Sequence, residues 1–436
     1  MTDNDNIEPQ NAIDPTVSLE SPSQDVMIFE GVFGLKQFGQ VSEAKGTIRF
    51  TWYPLRRLVF SGEIAAGSDH PMDHLHPLEL LINGKSVGTG HLYHRHWNEN
   101  KTCVFEGHSF HLVFGPSDVP VTELHFSIPN MREFYGALIG DHEGQKLQDG
   151  RFFFEDENYK VIIDKALDFK EIWQALRTKG GFMITYGGHI VAKKKAFLIS
   201  DMEDYSYAVA HFLYFLSGQR TAPLFLKSVQ KECDQLLDVR AHDIQPYKLT
   251  YCWSDFQYFD DLSLVWLRFR ALWLDKGDRD FLITLLHWYV EANAGTAYID
   301  GSIILAQAAI ELIFNWLIVE KKALLTKKAA KKLNADEKIR KLLVLLNEDK
   351  AIPARFSELA QLPNITDGPH AFVAIRNALV HADEHKRVQF LMSVKGEAKY
   401  QALKLGIAYI EASLLYILEY KGRYFHTALG QNKELI

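Results

Sequence analysis

Between residues 27 and 195 the apolar positions fall in short runs broken by turn residues. Met27–Phe33, Gly46–Trp52, Leu58–Ile64, Leu78–Ile82, Thr102–Glu106, His108–Phe114, Glu123–Ile128 and Arg151–Phe154 read as strands. Such runs bounded by Gly, Pro, Asn and Asp are the pattern of half-buried β structure. Asn83-Gly84 lies between Glu79–Ile82 and Lys85–Val87 and predicts a tight hairpin, because both residues tolerate positive φ. Val161–Ile163 and Phe182–Tyr186 continue the pattern around a short helix at Phe169–Arg177. The prediction is an antiparallel β-rich domain, sandwich or barrel.

The period changes near residue 200. Asp201–Ser217, Asp260–Trp273 and Arg279–Asn293 read as helices, with a strand pair expected at 223–231 and 247–253. From 298 onward every segment is helical. Tyr298–Glu320 is apolar on most faces and so belongs at the centre of a bundle. Ala335–Leu346 is amphipathic and Phe356–Leu362 is a short helix. Asp367-Gly368-Pro369 opens a helix to about Val380, with a cap followed by a proline in the first turn, and Lys399–Tyr420 is the last long helix. The fold class is α+β: an N-terminal antiparallel β-rich domain followed by an all-α bundle. The expected boundaries are a disordered tail at 1–26, a β-rich domain at 27–197, a mixed linker region at 198–296, a helical domain at 297–425 and a C-terminal tail at 426–436.

Composition narrows the function classes. The 436 residues are 47% hydrophobic and 24% charged, ordinary for a folded chain with room for two or three domains. The net charge of −7 means that any nucleic-acid site must be a local basic patch. Cys103, Cys233 and Cys252 are few and scattered, which fits a reducing, cytoplasmic setting better than a disulfide framework. The longest apolar run, Ile303 to Val319, is broken by Gln307, Glu311 and Asn315, so no membrane span or membrane partner is expected. The N-terminus lacks the basic and apolar regions of a secretion signal.

The chemistry concentrates in Phe372-Val373-Ala374-Ile375-Arg376-Asn377-Ala378-Leu379-Val380-His381. Phe372, Ile375 and Leu379 form a stripe that buries one helix face. Arg376 projects only about 40° from Phe372, at the edge of that face. A desolvated guanidinium there requires a partner or a ligand, and Glu311 on the long helix is the candidate partner. His381 lies about 140° from Arg376 on an unbroken helix, so both serve one site only if the helix ends near His381 or a second copy completes the site. The polar stretch Ala382-Asp383-Glu384-His385 fits a helix end.

Arg376-Asn377 followed by three apolar residues and His381 resembles the R-x4-6-H motif of HEPN domains, including the polar residue after the arginine. Many such motifs continue His-Gly; here Ala382 follows. The central helix with Glu311, the late motif helix, and the β region followed by Phe212–Arg220 are similar to the Apea-type arrangement, in which an Apea β domain precedes a HEPN domain. The resemblance covers nearly the whole chain after the tail. It implies an abortive-infection ribonuclease in antiviral defence, acting without metal or cofactor on RNA as a homodimer. The N-terminal domain would restrain or sense, with a phage component as trigger. In that scheme Arg376 clamps the phosphate, His381 is acid or base, Asn377 orients either group, and Glu311 supports the site. Two motifs from two subunits supply both an acid and a base, and the products are a 2′,3′-cyclic phosphate and a 5′-hydroxyl.

A lysine-rich segment supports RNA as ligand. Lys327, Lys328, Lys331 and Lys332, flanked by Lys321, Lys322, Lys338, Arg340 and Lys341, are opposed only by Asp336 and Glu337.

Plainer readings exist for each feature. By spacing alone, Arg376 and His381 fit cationic closure of a helix C-terminus, Glu311 a buried ion partner, and Asn377 an exposed polar position. A lysine run is commonly a solvated face. Asp69-His70, Asp73-His74 and His76, with His91, His94 and His96, suggest metal ligands, but no cysteine or third carboxylate is fixed beside them and prolines mark loops there, so no metal is expected. Gly180-Gly181 and Gly187-Gly188 lack the Lys-Ser/Thr of a phosphate loop and read as turns. The rival function is a non-catalytic protein whose helical domain dimerises and whose β domain binds a glycan or peptide.

Overall fold

The computed structural model describes residues 10–65, 73–99, 102–141, 143–228, 236–294, 298–380 and 394–435. His381, His385, Asp69, His70 and Cys233 lie outside these residues. The chain forms two compact units: Met1–Ala210 with Thr221–Lys248 and Phe259–Asp261, and His211–Arg220 with Leu249–Tyr258 and Leu262–Ile436.

The first unit is β-rich, as its alternating pattern predicts. Six antiparallel strands close on themselves: β2 (Val26–Gln37), β3 (Gln40–Thr51), β4 (Arg57–Ile64), β5 (Leu78–Ile82), β6 (Lys85–Trp97) and β7 (Cys103–Ser109). The ring closes because β6 pairs with β7 as well as with β5. Along β7 buried and half-exposed residues alternate strictly, so Cys103, Phe105, Gly107 and Ser109 face inward. The Phe60 ring fills the interior over two glycines; a Cβ at Gly107 would lie 2.2 Å from it and one at Gly90 2.6 Å. The β5–β6 hairpin turns through Asn83 and Gly84 at φ 50° and 76°, as their dipeptide predicts.

Beyond Phe110 the chain leaves the barrel as β8 (His111–Phe114) and joins an open sheet. Its strands are β9 (Glu123–Pro129), β10 (Ala137–Gly140), β11 (Leu147–Glu155), β12 (Tyr159–Lys165), β13 (Ile184–Ala192), β14 (Leu224–Ser228) and β15 (Leu237–Arg240). The order is β10-β11-β12-β13-β9-β14-β15-β8. Helix α1 (Phe169–Lys179) packs on β13, and both it and α2 (Glu203–Ser217) agree with the sequence reading. The expected pairing of 223–231 with 247–253 is corrected: β14 pairs with β15, Leu226 opposite Asp238.

Residues assigned by composition to a disordered tail also need correction from residue 10 onward. Gln10–Asn11 form β1 beside β10. Ile13 N–H donates to Asp164 (2.8 Å), and Thr16 Oγ1 donates to the Phe225 carbonyl (2.9 Å). The polar segment lies flat because Gly187 leaves room; a Cβ there would be 2.5 Å from the Ile13 carbonyl. Backbone satisfaction, rather than apolar burial, holds this stretch.

In the second unit, α3 (Ser263–Leu274), α4 (Lys276–Ala294), α5 (Tyr298–Phe314), α7 (Ala335–Leu346), α8 (Ser357–Ala360), α9 (Gly368–Val380) and α10 (Gly396–Ile417) follow the predicted helices closely, and the short α6 (Lys327–Ala330) is an addition to them. α5 packs on α4, α7, α9 and α10, as its apolar circumference requires. It continues as a π-helical turn, Asn315–Lys321. By length and hydropathy Tyr298–Lys321 passes the test for a membrane span, yet most of it is buried inside the unit. The expected C-terminal tail is instead a hairpin, β16 (Gly422–His426) with β17 (Gln431–Leu435). Its strands are too polar for a core pattern to reveal them.

Candidate functional site

Helix α9 is held firmly at its N-terminus. The Asp367 carboxylate caps it by accepting from His370 N–H (2.9 Å), and it also receives both Nε (2.6 Å) and Nη2 (3.1 Å) of Arg340. Burial pushes the Asp367 carboxyl up, but the Arg340 hydrogen bonds and the backbone outweigh it, leaving the group below the usual range. Phe372 and Ile375 are fully buried, and a Cβ at Gly406 of α10 would lie 2.6 Å from the Phe372 ring, so the two helices approach closely there. Leu379 is only partly buried, so the apolar stripe fades toward the C-terminal turn.

Arg376 sits in that fading turn, half-buried as its angular position predicts. Its Nη1 donates to Asn377 Oδ1 (3.1 Å), while its Nε is sealed from solvent with no hydrogen-bond partner among the described residues. The expected ion pair with Glu311 is not formed. Glu311 instead takes Lys338 Nζ at 3.4 Å and is 43% exposed. Arg376 and Asn377 are therefore brought together and Glu311 is not. Val380 ends the described part of α9.

The lysine segment divides in two. Lys338 and Arg340 are committed to Glu311 and to Asp336 and Asp367, and Lys321 pairs with Asp278 at 2.6 Å. Lys327, Lys328, Lys331 and Lys332 are exposed, and no ion pair holds them among the described residues. Thr326 starts their short helix by accepting from Ala329 N–H (3.2 Å). With Lys322 and Lys341, also exposed, six of the nine cations thus have no ion pair among the described residues.

One strong polar site was missed in the sequence. Glu411, fully buried on α10, accepts from Trp253 N–H (3.1 Å) and Tyr289 Oη (2.8 Å) on one oxygen and from Thr427 Oγ1 (2.7 Å) on the other. Burial pushes its carboxyl up to about 7 despite these donors. The available signal was an acid inside the apolar run Ile407–Leu415. A separate cleft of about 600 Å³ is lined by Lys322, Glu348, Tyr416, Glu419 and Lys433 and contains no residue of α9.

A third cluster lies in the β unit. Cα register places His125 of β9 opposite His189 of β13, and Glu123 lies two residues from His125 on the same face. Glu123 Oε1 is 2.6 Å from both His125 Nε2 and His189 Nδ1. The opposite face, with Leu124, Phe126 and Ile190, is core. Burial lowers His189, favouring the neutral imidazole. The histidines that drew attention in the sequence form only pairs among the described residues: His94 with His96 (3.0 Å) and His76 with Asp73 (2.8 Å). Glu-x-His on one strand was the readable half of the cluster; the strand pairing that adds His189 was not.

Two family models match the chain. The YopA central domain matches residues 116–250 and the YopA C-terminal domain residues 275–432. The SPbeta prophage-derived uncharacterized protein YopA of Bacillus subtilis (strain 168) is 25% identical over 421 residues, covering 92% of this chain and 91% of that protein. No solved structure matches the chain.

Proposed function

We propose that the helical unit is a HEPN-type ribonuclease that cuts RNA without a metal, with the β-rich unit as its restraint and sensor. The observation that carries this reading is the state of Arg376. Its guanidinium is half-buried, its Nε has no partner among the described residues, and the acid expected to neutralise it is engaged by Lys338. A partly desolvated cation in that state is stabilised by an anion from outside, and the planar fork suits a phosphate. His381 follows the last described residue of the same helix and supplies the proton transfer, taking a 2′-hydroxyl proton or giving one to the 5′-oxygen. Asn377 holds the arginine fork in place through its Oδ1. A second subunit contributes a second Arg–His pair, so acid and base act together. The prophage origin of the YopA relative fits a role in conflict between phages and their hosts.

The test is direct. Full-length protein is incubated with a single-stranded RNA and its all-deoxy counterpart in the presence of a chelator. Cleavage of RNA alone is expected, because the 2′-hydroxyl is the attacking group. Cleavage of both substrates contradicts the reading; no RNA cleavage with or without metal also contradicts it and favours the non-catalytic binding protein.

The four exposed lysines give a separate expectation. Replacing Lys327, Lys328, Lys331 and Lys332 with Gln weakens RNA binding and flattens its salt dependence. The slope of log affinity against log salt falls by about 3 for four lost phosphate contacts on a single strand. An unchanged slope would mean that these lysines are simply a solvated face.

A further inference from the structure

We infer that the β-rich unit carries a binding site for one first-row divalent transition ion, of the zinc class, formed by Glu123, His125 and His189. Three donor atoms of the kinds such ions prefer, two imidazole nitrogens and one carboxylate oxygen, lie within 4.8 Å of one another. Two adjacent strands set the geometry. His125 and His189 are directly opposed across the β9–β13 ladder, and Glu123 is one pleat along from His125. The backbone register therefore fixes all three on one face, and ring centroids of the two histidines stand 5.3 Å apart at 84°. Nearly perpendicular rings with nitrogens aimed at one oxygen converge on a point rather than stacking.

The step from the observed arrangement to a bound ion is small. Donor atoms around a tetrahedral zinc ion, with bonds of about 2.0–2.2 Å, stand about 3.3 Å apart. The two nitrogens are each 2.6 Å from Glu123 Oε1, so a rotation of the flexible glutamate side chain opens the space. The site is partly shielded: His189, His125 and Glu123 side chains are 18%, 26% and 34% exposed. That leaves one side open to water, the arrangement of a three-ligand site with a free position. Across the sheet the row continues to Ile162 beside His189 and Lys227 beside His125. In the fold this cluster belongs to the β unit and shares no residue with α9, so it is independent of the ribonuclease reading.

The experiment uses the full chain stripped with chelator and dialysed. Titration with Zn²⁺ by calorimetry and with Co²⁺ by visible absorption is expected to show one tight ion per chain. His125→Ala and His189→Ala should weaken it at least about 100-fold, since even outer-shell changes cost about 10–100-fold. A His94→Gln/His96→Gln double variant should bind like the parent. If the alanine variants fail to fold, the unaltered protein still decides. One equivalent of Zn²⁺ should protect His125 and His189 from diethyl pyrocarbonate, read by peptide mapping. A parent that takes up no ion, variants that bind as tightly as the parent, or two histidines modified equally with and without Zn²⁺ would each overturn the assignment.

Discussion

Arg376→Ala abolishes RNA cleavage, by at least about 10³-fold, while the helical unit stays folded. The magnitude follows from its role: an arginine that meets charge developing on phosphorus contributes about 10³–10⁵ in rate. The fold survives because, among the described residues, the hydrogen bond of Arg376 goes to Asn377 on its own helix. Removing it also relieves a buried Nε that has no partner among the described residues, so stability is unchanged or slightly raised. Arg376→Lys retains the charge but not the fork, and recovers only part of the rate. Cleavage rates of purified variants, with circular dichroism and size-exclusion elution as folding and assembly controls, check this. An alanine variant as active as the parent would remove Arg376 from the chemistry.

The helical half of the fold was largely legible because period and caps agreed. Ala335–Leu346 starts where Glu337 accepts from the Asn334 N–H (2.7 Å) and ends at Asn347 in the left-handed region, the limits of its apolar pattern. Asp367 likewise caps α9. The barrel strands were legible through alternation, with β7 as the clearest case. What escaped were features set by pairing between distant segments. The polar strands β16 and β17 hold each other and fully bury one side chain, Tyr424. The stretch from Gln10 is fixed by Asp164 and Phe225, neither predictable from its own residues. At the candidate site the same division holds. The burial of Arg376 followed from its angle to Phe372, whereas the choice of Glu311 as its partner failed because Lys338 competes for that carboxylate. His189 could join Glu123 and His125 only through a strand register that no local pattern encodes.

Glu411 gives the largest expected effect on stability. Glu411→Leu removes the acceptor of three buried donors, the Trp253 amide, the Tyr289 hydroxyl and the Thr427 hydroxyl. The loss is about 2–4 kcal/mol in the unfolding of the helical unit. Glu411→Gln is milder and reveals the pH dependence. In the folded protein the carboxyl holds its proton up to about 7, against an ordinary value of 4.5. Between those values the folded state binds more protons than the unfolded chain, so this group's contribution to stability is full below 4.5, declines as pH rises and is gone above about 7. The decline is on the order of 3 kcal/mol. Urea midpoints of the parent and Glu411→Gln at pH 5 and pH 8 measure it. The variant gains on the parent as pH rises; a constant difference between the two would show that Glu411 is ionised throughout.

The most direct test of metal-free cleavage by Arg376 and His381 is the chemistry of the cut ends. RNA treated with the full chain in excess chelator is analysed by mass spectrometry at each new terminus. The expected termini are a 2′,3′-cyclic phosphate and a 5′-hydroxyl, absent when His381→Ala replaces the parent. Termini bearing 5′-phosphate, or intact RNA that is cut only when a divalent ion is restored, would contradict it.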